Sequence, residues 1–406
     1  MNILDSVKKR FFRYVQVDTQ SANESDTFPT TLKQLDLAAI LAEECISIGL
    51  TDVIQDDNGY VYASLPSNLK TEAPAIGFVA HMDTSPDCSG NDVKPKITSD
   101  YDGGDIDLGN GKTLSPEEFP SLKQYKGKDI ITASGDTLLG ADDKAGVAEI
   151  LTAMEYLTEN PSIPHGKICV GFTPDEEVGH GVDRFDLKTF GAIFAYTVDG
   201  GQVGELESEN FNAARAIITI TGKSVHSGDA KGIMINAGLI ASELIACMPD
   251  NEIPAKTEGY EGFYHLLDLQ GCVEHAKVVY LIRDFDMDGL NARKAFIEKT
   301  VAELNNKYSG VLALKQYDEY YNMAGPLAEH GYVVDLAYKA MEDAGIKPIR
   351  TAIRGGTDGS RLSYMGLPCP NIFTGGHNAH GPYEYIPLQS MGKAVEVIIN
   401  ICKSSE

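Results

Sequence analysis

Cysteine is scarce in this chain of 406 residues, and it forms no pairing motif. The seven cysteines stand singly, at Cys45, Cys88, Cys169, Cys247, Cys272, Cys369 and Cys402. An odd number without a CxxC spacing argues against a secreted disulfide framework. We expect reduced thiols in the protein core.

Long apolar runs are missing as well, since none approaches the ~20 residues that are needed to cross a bilayer. The N-terminal stretch "MNILDSVKKRFFRYVQVDTQ" is amphipathic, contains acidic side chains and lacks a small-residue cleavage site. These absences predict a cytoplasmic protein with no membrane partner.

Basic residues are in the minority, with 34 Lys and Arg against 59 Asp and Glu and a net charge of −25. Such a surface repels nucleic acid and anionic lipid, so we expect no nucleic-acid partner. Most of the acidic side chains are expected to be solvated. A preference for cations or amines has to rest on particular residues.

The chain is long enough for two domains, and its patterns change along its length. Before residue 209 and after residue 321, helical segments alternate with nearly continuous apolar strands, which is typical of a mostly parallel sheet covered on both faces. In that sheet, "NGYVYASLP" and "PAIGFVAH" are predicted as neighbouring strands. Residues 209–321 follow the order β-α-β-β-α-β of a ferredoxin-like α+β domain. The predicted class is therefore α/β, with a larger domain (1–208 and 322–406) and an inserted domain (209–321).

Polar side chains collect directly after the apolar strands of the larger domain. They are His81 and Asp83; Asp175, Glu176 and Glu177; Asp199; and His377 and His380, and "LLGADDKAG" adds Asp142 and Asp143 at the start of a helix. The strands of an open parallel sheet end at one edge, where ligands bind. We therefore expect these groups to converge.

So many carboxylates in one place would raise one another's pKa unless a cation were present. His with Asp and Glu, without Cys, suits Zn²⁺ or a similar transition metal better than Mg²⁺ or Ca²⁺. The ligands outnumber those that a single tetrahedral ion takes, which favours two metals bridged by a carboxylate and a water. Each residue alone also fits a helix cap or a charged turn, and only the constellation indicates metal binding.

The motifs "HMD", "GADDKAG", "TPDEEVG", "VDGG" and "NAHGPYE", around an inserted ferredoxin-like domain, resemble the co-catalytic zinc peptidases and deacylases that include carboxypeptidase G and succinyl-diaminopimelate desuccinylase. Longer strings, among them "GGDIDLGNGKTLSPEEFP" and "FTPDEEVGHG", extend the similarity over essentially the whole chain and to the tripeptide aminopeptidases of that family. The resemblance implies a di-zinc catalytic domain, an inserted lid domain and release of the N-terminal residue from tripeptides. Short peptides would be the substrates, and pairing of two chains through the lid is a further expectation.

The resemblance also implies two ligand sets that share one bridging carboxylate. One zinc ion would be held by His81, Asp142 and Asp199, and the other by Asp142, Glu177 and His380. Asp143 would be a structural neighbour of the bridge, and His377 is given no role.

Other residues are implied to act beside the metals. Asp83 would hold the second ring nitrogen of His81. We expect Glu176 and Glu177 to have separate tasks, because alternate residues of an extended chain face opposite sides. A hydroxide bridging the zinc ions would attack the scissile carbonyl while Glu176 moves the proton to the leaving amine. His226, in "GKSVHSG", would stabilise the tetrahedral oxygen; it also fits a cap of the following turn.

Two cations are implied to meet the carboxylate of the substrate, Arg283 in "IRDFD" and Arg354 in "IRGGTDG". Each also fits a structural ion pair. Asp175, or another acid at the mouth of the site, is available for the α-amine.

Other functions stay open. The metal motifs alone also fit a carboxypeptidase or an amidohydrolase that removes an acyl group. A non-catalytic metal-binding protein is disfavoured because Glu176, which binds no metal in this scheme, is still a glutamate.

Overall fold

The computed structural model describes residues 1–403, which divide between two compact units. The strands are β1 (Thr51–Gln55), β2 (Val61–Leu65), β3 (Ile76–His81), β4 (Lys96–Thr98), β5 (Ile106–Gly109), β6 (Lys112–Leu114), β7 (Ile130–Thr132), β8 (Ile168–Thr173), β9 (Phe194–Gly200), β10 (Glu205–Asn210), β11 (Asn212–Thr221), β12 (Phe263–Gly271), β13 (His275–Asp284), β14 (Leu312–Tyr320), β15 (Ile349–Ile353), β16 (Asn371–Phe373) and β17 (Tyr385–Pro387). The helices are α1 (Ile3–Val15), α2 (Gln34–Ser47), α3 (Ala141–Glu159), α4 (Leu187–Phe190), α5 (Ala237–Ala246), α6 (Met287–Tyr308), α7 (Ala324–Leu327), α8 (Gly331–Asp343), α9 (Asp358–Tyr364) and α10 (Leu388–Lys403).

The first unit consists of Met1–Ser208, Gly325–Thr351 and residues 357–403 and is built on an eight-stranded sheet in the order β1-β2-β8-β3-β9-β16-β10-β15. Strands β8, β3, β9 and β16 run parallel at its centre. Strands β2 and β10 flank them antiparallel. The predicted α/β class with a mostly parallel central sheet is confirmed.

One detail of the predicted sheet is wrong, because β2 and β3 are not neighbours. Strand β8 lies between them, antiparallel to β2 and parallel to β3. The connection over residues 66–75 is longer than a hairpin turn and does not force β2 and β3 to pair. Strand β8, which follows both of them in the sequence, lies between β2 and β3.

Helices and loops cover both faces of the sheet. In β3 the side chain of Phe78 belongs to one hydrophobic cluster and that of Val79 to another, as alternation along a strand requires. Helix α3 is buried along most of its length and contacts α1, α10, β3 and β9. Its first residues therefore have a fixed position at the edge of the sheet.

The Gly-rich segment after residue 101 contains structure that composition did not indicate. Strands β5 and β6 form a hairpin in which Gly109 pairs with Lys112. Asn110 and Gly111 make the turn with φ of 51° and 73°, as expected of an Asn-Gly hairpin turn. Strands β17, β7 and β4 form a separate three-stranded sheet.

The second unit consists of Glu209–Ala324 and Ala352–Gly356. Its strands form a sheet in the order β12-β13-β11-β14, with every neighbouring pair antiparallel. Helices α5 and α6 pack against this sheet and share a hydrophobic cluster with it. The chain order β11-α5-β12-β13-α6-β14 is the ferredoxin-like order of the sequence pattern.

All seven cysteines are free thiols. Four are buried, but Cys247 and Cys272 are exposed, so the expectation of core positions is wrong for these two. Cys247 follows the end of α5, Cys272 lies in the turn between β12 and β13, and the remaining Cys88 is half-buried. No helix among residues 1–403 is long and apolar enough to cross a membrane.

Candidate metal centre

The parallel strands bring the predicted polar residues to one edge of the first unit. His81 is the last residue of β3, and Asp199 is the penultimate residue of β9. Glu176 and Glu177 follow β8 after a short turn, and Asp142 lies at the start of α3. The register of the sheet thus determines which side chains meet.

Asp142 is shared by two groups of potential ligands, and the ligand atoms within each group lie within 4.8 Å of one another. On one side, His81 Nε2 is 2.9 Å from Asp142 Oδ1 and 3.6 Å from Asp199 Oδ1. On the other side, His380 Nε2 is 3.2 Å from Asp142 Oδ2 and 2.9 Å from Glu177 Oε2. The two oxygens of one carboxylate therefore face two separate groups, which form a candidate dinuclear metal site.

Asp83 lies next to His81 and is fully buried. The Nδ1 atom of His81 is 3.1 Å from the backbone oxygen of Asp83 and 3.4 Å from its Oδ1. The same carboxylate accepts hydrogen bonds from the backbone N–H groups of Glu176, at 3.0 Å, and Glu177, at 3.2 Å. Asp83 therefore orients the histidine and also holds the turn that carries both glutamates.

The prediction that strand alternation separates Glu176 from Glu177 is wrong in its premise. Glu176–Val178 is a single turn of 3-10 helix, which follows Asp175 in a left-handed conformation with φ of 57°. Successive side chains of such a turn point about 120° apart. The two glutamates thus still differ in direction, and Glu177 belongs to a ligand group whereas Glu176 does not.

Asp175 is not available to bind an amine. It is fully buried, and its carboxylate accepts hydrogen bonds from Thr30 N and Oγ1 and from Gln34 Nε2, at 2.5 to 2.7 Å. Its task is to join the turn after β8 to the start of α2.

Asp143 is a structural neighbour of the bridge. Its carboxylate accepts hydrogen bonds from His81 N and Gly146 N, both at 3.2 Å. The peptide bond between Asp142 and Asp143 is cis.

Burial and the close approach of several acids shift the pKa values of these groups. Burial raises the pKa of Glu177 to about 8 and that of Asp199 to about 6. Hydrogen bonds to Asp142 and Glu177 raise the pKa of His380 to about 11. Burial alone would lower the pKa of His81, but the carboxylates of Asp199 and Asp142 raise it well above its ordinary value. The histidines therefore carry protons that a metal ion would replace.

Two buried acids near the site were missed by sequence reasoning. Asp358, near the start of α9, accepts a hydrogen bond from Thr173 Oγ1 at 2.8 Å, and burial raises its pKa to about 7. Glu384 accepts hydrogen bonds from the backbone just before α3. Both acids stand in strings that carry the family resemblance, Glu384 in "NAHGPYE" and Asp358 in "IRGGTDG", but only the fold shows that they lie near the site.

His377 belongs to an aromatic group beside the loop that carries His380. Its Nε2 is 2.7 Å from the Tyr125 hydroxyl, and its ring stacks on Tyr385 with the ring centroids 4.7 Å apart. Burial lowers its pKa to about 4, so the ring is neutral. It belongs to neither ligand group.

The other predicted site residues lie in the second unit. The His226 side chain is 81% exposed, and its Nδ1 accepts a hydrogen bond from Gly228 N at 3.2 Å. The Arg354 guanidinium donates to backbone oxygens of Thr257, Gly259 and Glu261. It therefore holds that loop.

Arg283 contacts the backbone of Arg354. Its Nη1 donates to the backbone oxygen of Arg354 at 2.9 Å. Its Nε is buried and has no hydrogen-bond partner among residues 1–403. Neither arginine forms an ion pair within the described chain, so the alternative role as a structural ion pair finds no support.

The sequence profile of peptidase family M20/M25/M40 matches residues 135–404. The chain belongs to this family. Among its relatives, peptidase T of Clostridium perfringens is 56% identical over 401 residues, covering 98% of this chain and 99% of that protein. Peptidase T of Clostridium acetobutylicum is 55% identical over 401 residues, with 98% of each chain covered. The family resemblance predicted from the motifs is confirmed.

Solved structures share the fold over nearly the whole length. Aminopeptidase PepT from Bacillus cereus superposes with a TM-score of 0.76 at 24% identity, covering 99% of this chain and 98% of that one. A tripeptidase from Staphylococcus aureus gives a TM-score of 0.77 at 22% identity, with the same coverage. These likenesses support the predicted catalytic-domain fold with an inserted domain.

Metal binding is expected to release protons at neutral pH. His380, with a pKa of about 11, and Glu177, with a pKa of about 8, are protonated at pH 7 in the metal-free protein, and His81 is as well. These groups bind a metal only when deprotonated, so apparent affinity rises with pH. Calorimetric zinc titrations in buffers of different ionisation enthalpy should show net release of protons on binding. Heats that do not depend on the buffer would contradict this charge state.

Proposed function

We propose that the protein is a metal-dependent aminopeptidase that releases the N-terminal residue from tripeptides with the help of two Zn²⁺. The proposed ligands are His81, Asp142 and Asp199 for one ion and Asp142, Glu177 and His380 for the other. The main support for the proposal is that the carboxylate of Asp142 belongs to both groups of potential ligands. The neighbouring Glu176 belongs to neither group and is available as a general base. The similarity to peptidase T supports the choice of substrate.

The donor set fits zinc. Each group combines one imidazole with carboxylates and contains no thiolate, a combination that Zn²⁺ accepts readily. The second oxygen of Glu177, Oε1, is buried without a hydrogen-bond partner among residues 1–403, which is costly unless a cation lies nearby. The pKa values of Glu177 and Asp199 are raised, and a bound cation would favour the ionised form of both carboxylates.

Two zinc ions bound in this site would lower the pKa of a water molecule and polarise the scissile carbonyl. Glu176 takes a proton from the attacking water and passes it to the amine as the carbon–nitrogen bond breaks. Burial raises the pKa of Glu176 well above its ordinary value, so the carboxylate has enough affinity to hold that proton between the two steps. The hydrogen bond from its own N–H to Asp83 keeps the glutamate in place.

Asp83 acts through His81. Its contact with Nδ1 leaves Nε2 directed at Asp142, which is the nitrogen that binds metal in this scheme. A partner on the second ring nitrogen fixes the tautomer of a ligand histidine and strengthens it as a donor.

We assign the recognition of the substrate ends and of the tetrahedral oxygen to the second unit. His226 is exposed and free to donate a hydrogen bond to the developing oxyanion. Arg283 and Arg354 are the proposed partners of the substrate carboxylate, and the backbone oxygen of Arg354 accepts a hydrogen bond from Arg283 Nη1. An arginine that binds the free carboxylate of the substrate would favour short peptides over longer chains.

We also propose that the protein is cytoplasmic and that two chains pair through the inserted domain. Free thiols at all seven cysteines support a reducing compartment. Strand β12 is an edge strand and exposes Leu267 and Leu269, which favours association along that edge.

A small substrate panel tests the proposed activity. The zinc-loaded enzyme should release the first residue from a tripeptide and should act poorly on its N-acetylated form, its C-terminal amide and a decapeptide. A chelator should abolish turnover, and added Zn²⁺ should restore it. Release of free amino acid can be followed by mass spectrometry.

The same panel separates the rival activities. Faster hydrolysis of the N-acetylated peptide would indicate a deacylase, and release of the C-terminal residue would indicate a carboxypeptidase. Full turnover by a preparation shown by elemental analysis to be metal-free would overturn the proposed mechanism.

The two neighbouring glutamates should respond differently to amide substitution. Glu176→Gln should keep both metals and lower the turnover number by ~10²–10⁴, the usual contribution of a general base. Glu177→Gln should weaken metal binding, because a neutral amide oxygen is a poorer zinc ligand than a carboxylate. Zinc content and turnover are measured on the same purified variants.

Each variant is the matched control for the other, since the two residues share one 3-10 turn. General damage to the turn would affect both alike. Loss of a metal from Glu176→Gln, or retention of both metals by Glu177→Gln, would show that the roles are reversed.

A further inference from the structure

The carboxylate of Glu384 receives three backbone hydrogen bonds from the segment that carries Asp142. Glu384 Oε2 accepts from Leu139 N at 2.7 Å and from Gly140 N at 2.8 Å. Its Oε1 accepts from Asp142 N at 3.0 Å. Glu384 is only 2% exposed, so the three contacts are shielded from water.

This segment needs an external acceptor because its backbone is irregular. Gly140 has φ of 81°, in the left-handed region, and Asp142 has φ of −87° and ψ of 102°, which are not helical. The first N–H groups of a helix have no partner within the helix. At the start of α3 the acceptor is a side chain from a distant part of the chain.

Glu384 also lies close in sequence to the second histidine. His380 has a left-handed backbone with φ of 65°, and Glu384 N donates to Gly381 O at 3.2 Å. One short loop therefore carries both the partly exposed His380 and the buried Glu384, whose carboxylate holds the backbone at Asp142.

We propose that Glu384 is the positioning residue that sets the bridging carboxylate of Asp142 and joins it to the His380 loop. The three hydrogen bonds fix the peptide plane before Asp142, and so decide whether its two oxygens reach His81 and His380 together. Glu384 lies in neither ligand group, so it acts through Asp142. This inference rests on the proposed dinuclear site.

The test is Glu384→Gln in the full-length protein. The glutamine side chain has the same size, but one of the two accepting oxygens is replaced by an NH₂ group. This NH₂ group cannot accept a hydrogen bond from the backbone, so at least one of the three hydrogen bonds is lost. Replacing a residue that orients a metal ligand typically lowers metal affinity 10–100-fold, and we expect a loss in that range for zinc. Affinity is measured by competition with a chromophoric chelator, and the visible spectrum of the Co²⁺-loaded protein reports the ligand geometry.

Asp129→Asn is the matched control. Asp129 also accepts a backbone hydrogen bond, from Asp100 N, and one from Gln389 Nε2, but it does not contact the site. This variant should keep wild-type zinc affinity and the wild-type Co²⁺ spectrum. The melting temperature of each metal-free variant shows whether the fold is retained, and Glu384→Asp, with a shorter reach, replaces Glu384→Gln if that variant does not fold.

The results distinguish failure of the proposed metal-dependent function from failure of the proposed role of Glu384. If the wild-type protein binds no metal, the proposed function fails. If the wild type binds two zinc ions and Glu384→Gln binds them equally well with an unchanged Co²⁺ spectrum, the role of Glu384 is wrong. An equal loss in Asp129→Asn would also contradict it, because the effect would then be general destabilisation.

Discussion

The carboxylate of Asp142 faces a histidine through each of its two oxygens, and the rest of the site depends on this contact. His81 Nε2 approaches Oδ1 and His380 Nε2 approaches Oδ2, at 2.9 and 3.2 Å. The two contacts require that the end of β3, the start of α3 and the loop after β16 meet within hydrogen-bond distance. The parallel centre of the sheet makes this meeting possible, because neighbouring parallel strands end together.

Buried carboxylates also hold the irregular backbone around that contact. Asp83 accepts from the turn of Glu176 and Glu177, Asp175 ties the same turn to the start of α2, and Glu384 holds the turn before α3. Buried backbone N–H groups outside regular structure need such acceptors. The acids near the site thus have two kinds of task, since some face the candidate metals and others support the loops that carry them.

The sequence predicted the parts of the site that follow from short-range pattern. Continuous apolar strands located His81 and Asp199 at one edge, and the family resemblance implied the two ligand groups. It could not indicate that β8 lies between β2 and β3, because the strand order depends on crossovers and not on chain order. It also separated Glu176 from Glu177 by strand alternation, whereas β8 ends at Thr173 and the two glutamates lie in a 3-10 turn that follows the left-handed Asp175.

The contacts of Glu384 could not be predicted for a different reason. They join backbone groups at residues 139–142 to a side chain more than 200 residues later, and no local periodicity carries that information. Similarly, the hydrogen bonds of Arg354 to backbone oxygens depend on how the loop near residue 259 packs, which the motif "IRGGTDG" alone does not indicate.

The bridging role of Asp142 is tested most directly by the position of metal in crystals grown with zinc, measured by anomalous scattering at the zinc absorption edge. We expect two peaks per chain, about 3.5–4 Å apart, with one oxygen of Asp142 bound to each metal ion. One ion would have His81 and Asp199 as its other ligands, and the second would have Glu177 and His380. A single peak, or two peaks of which only one contacts Asp142, would contradict the shared carboxylate on which the proposed chemistry depends.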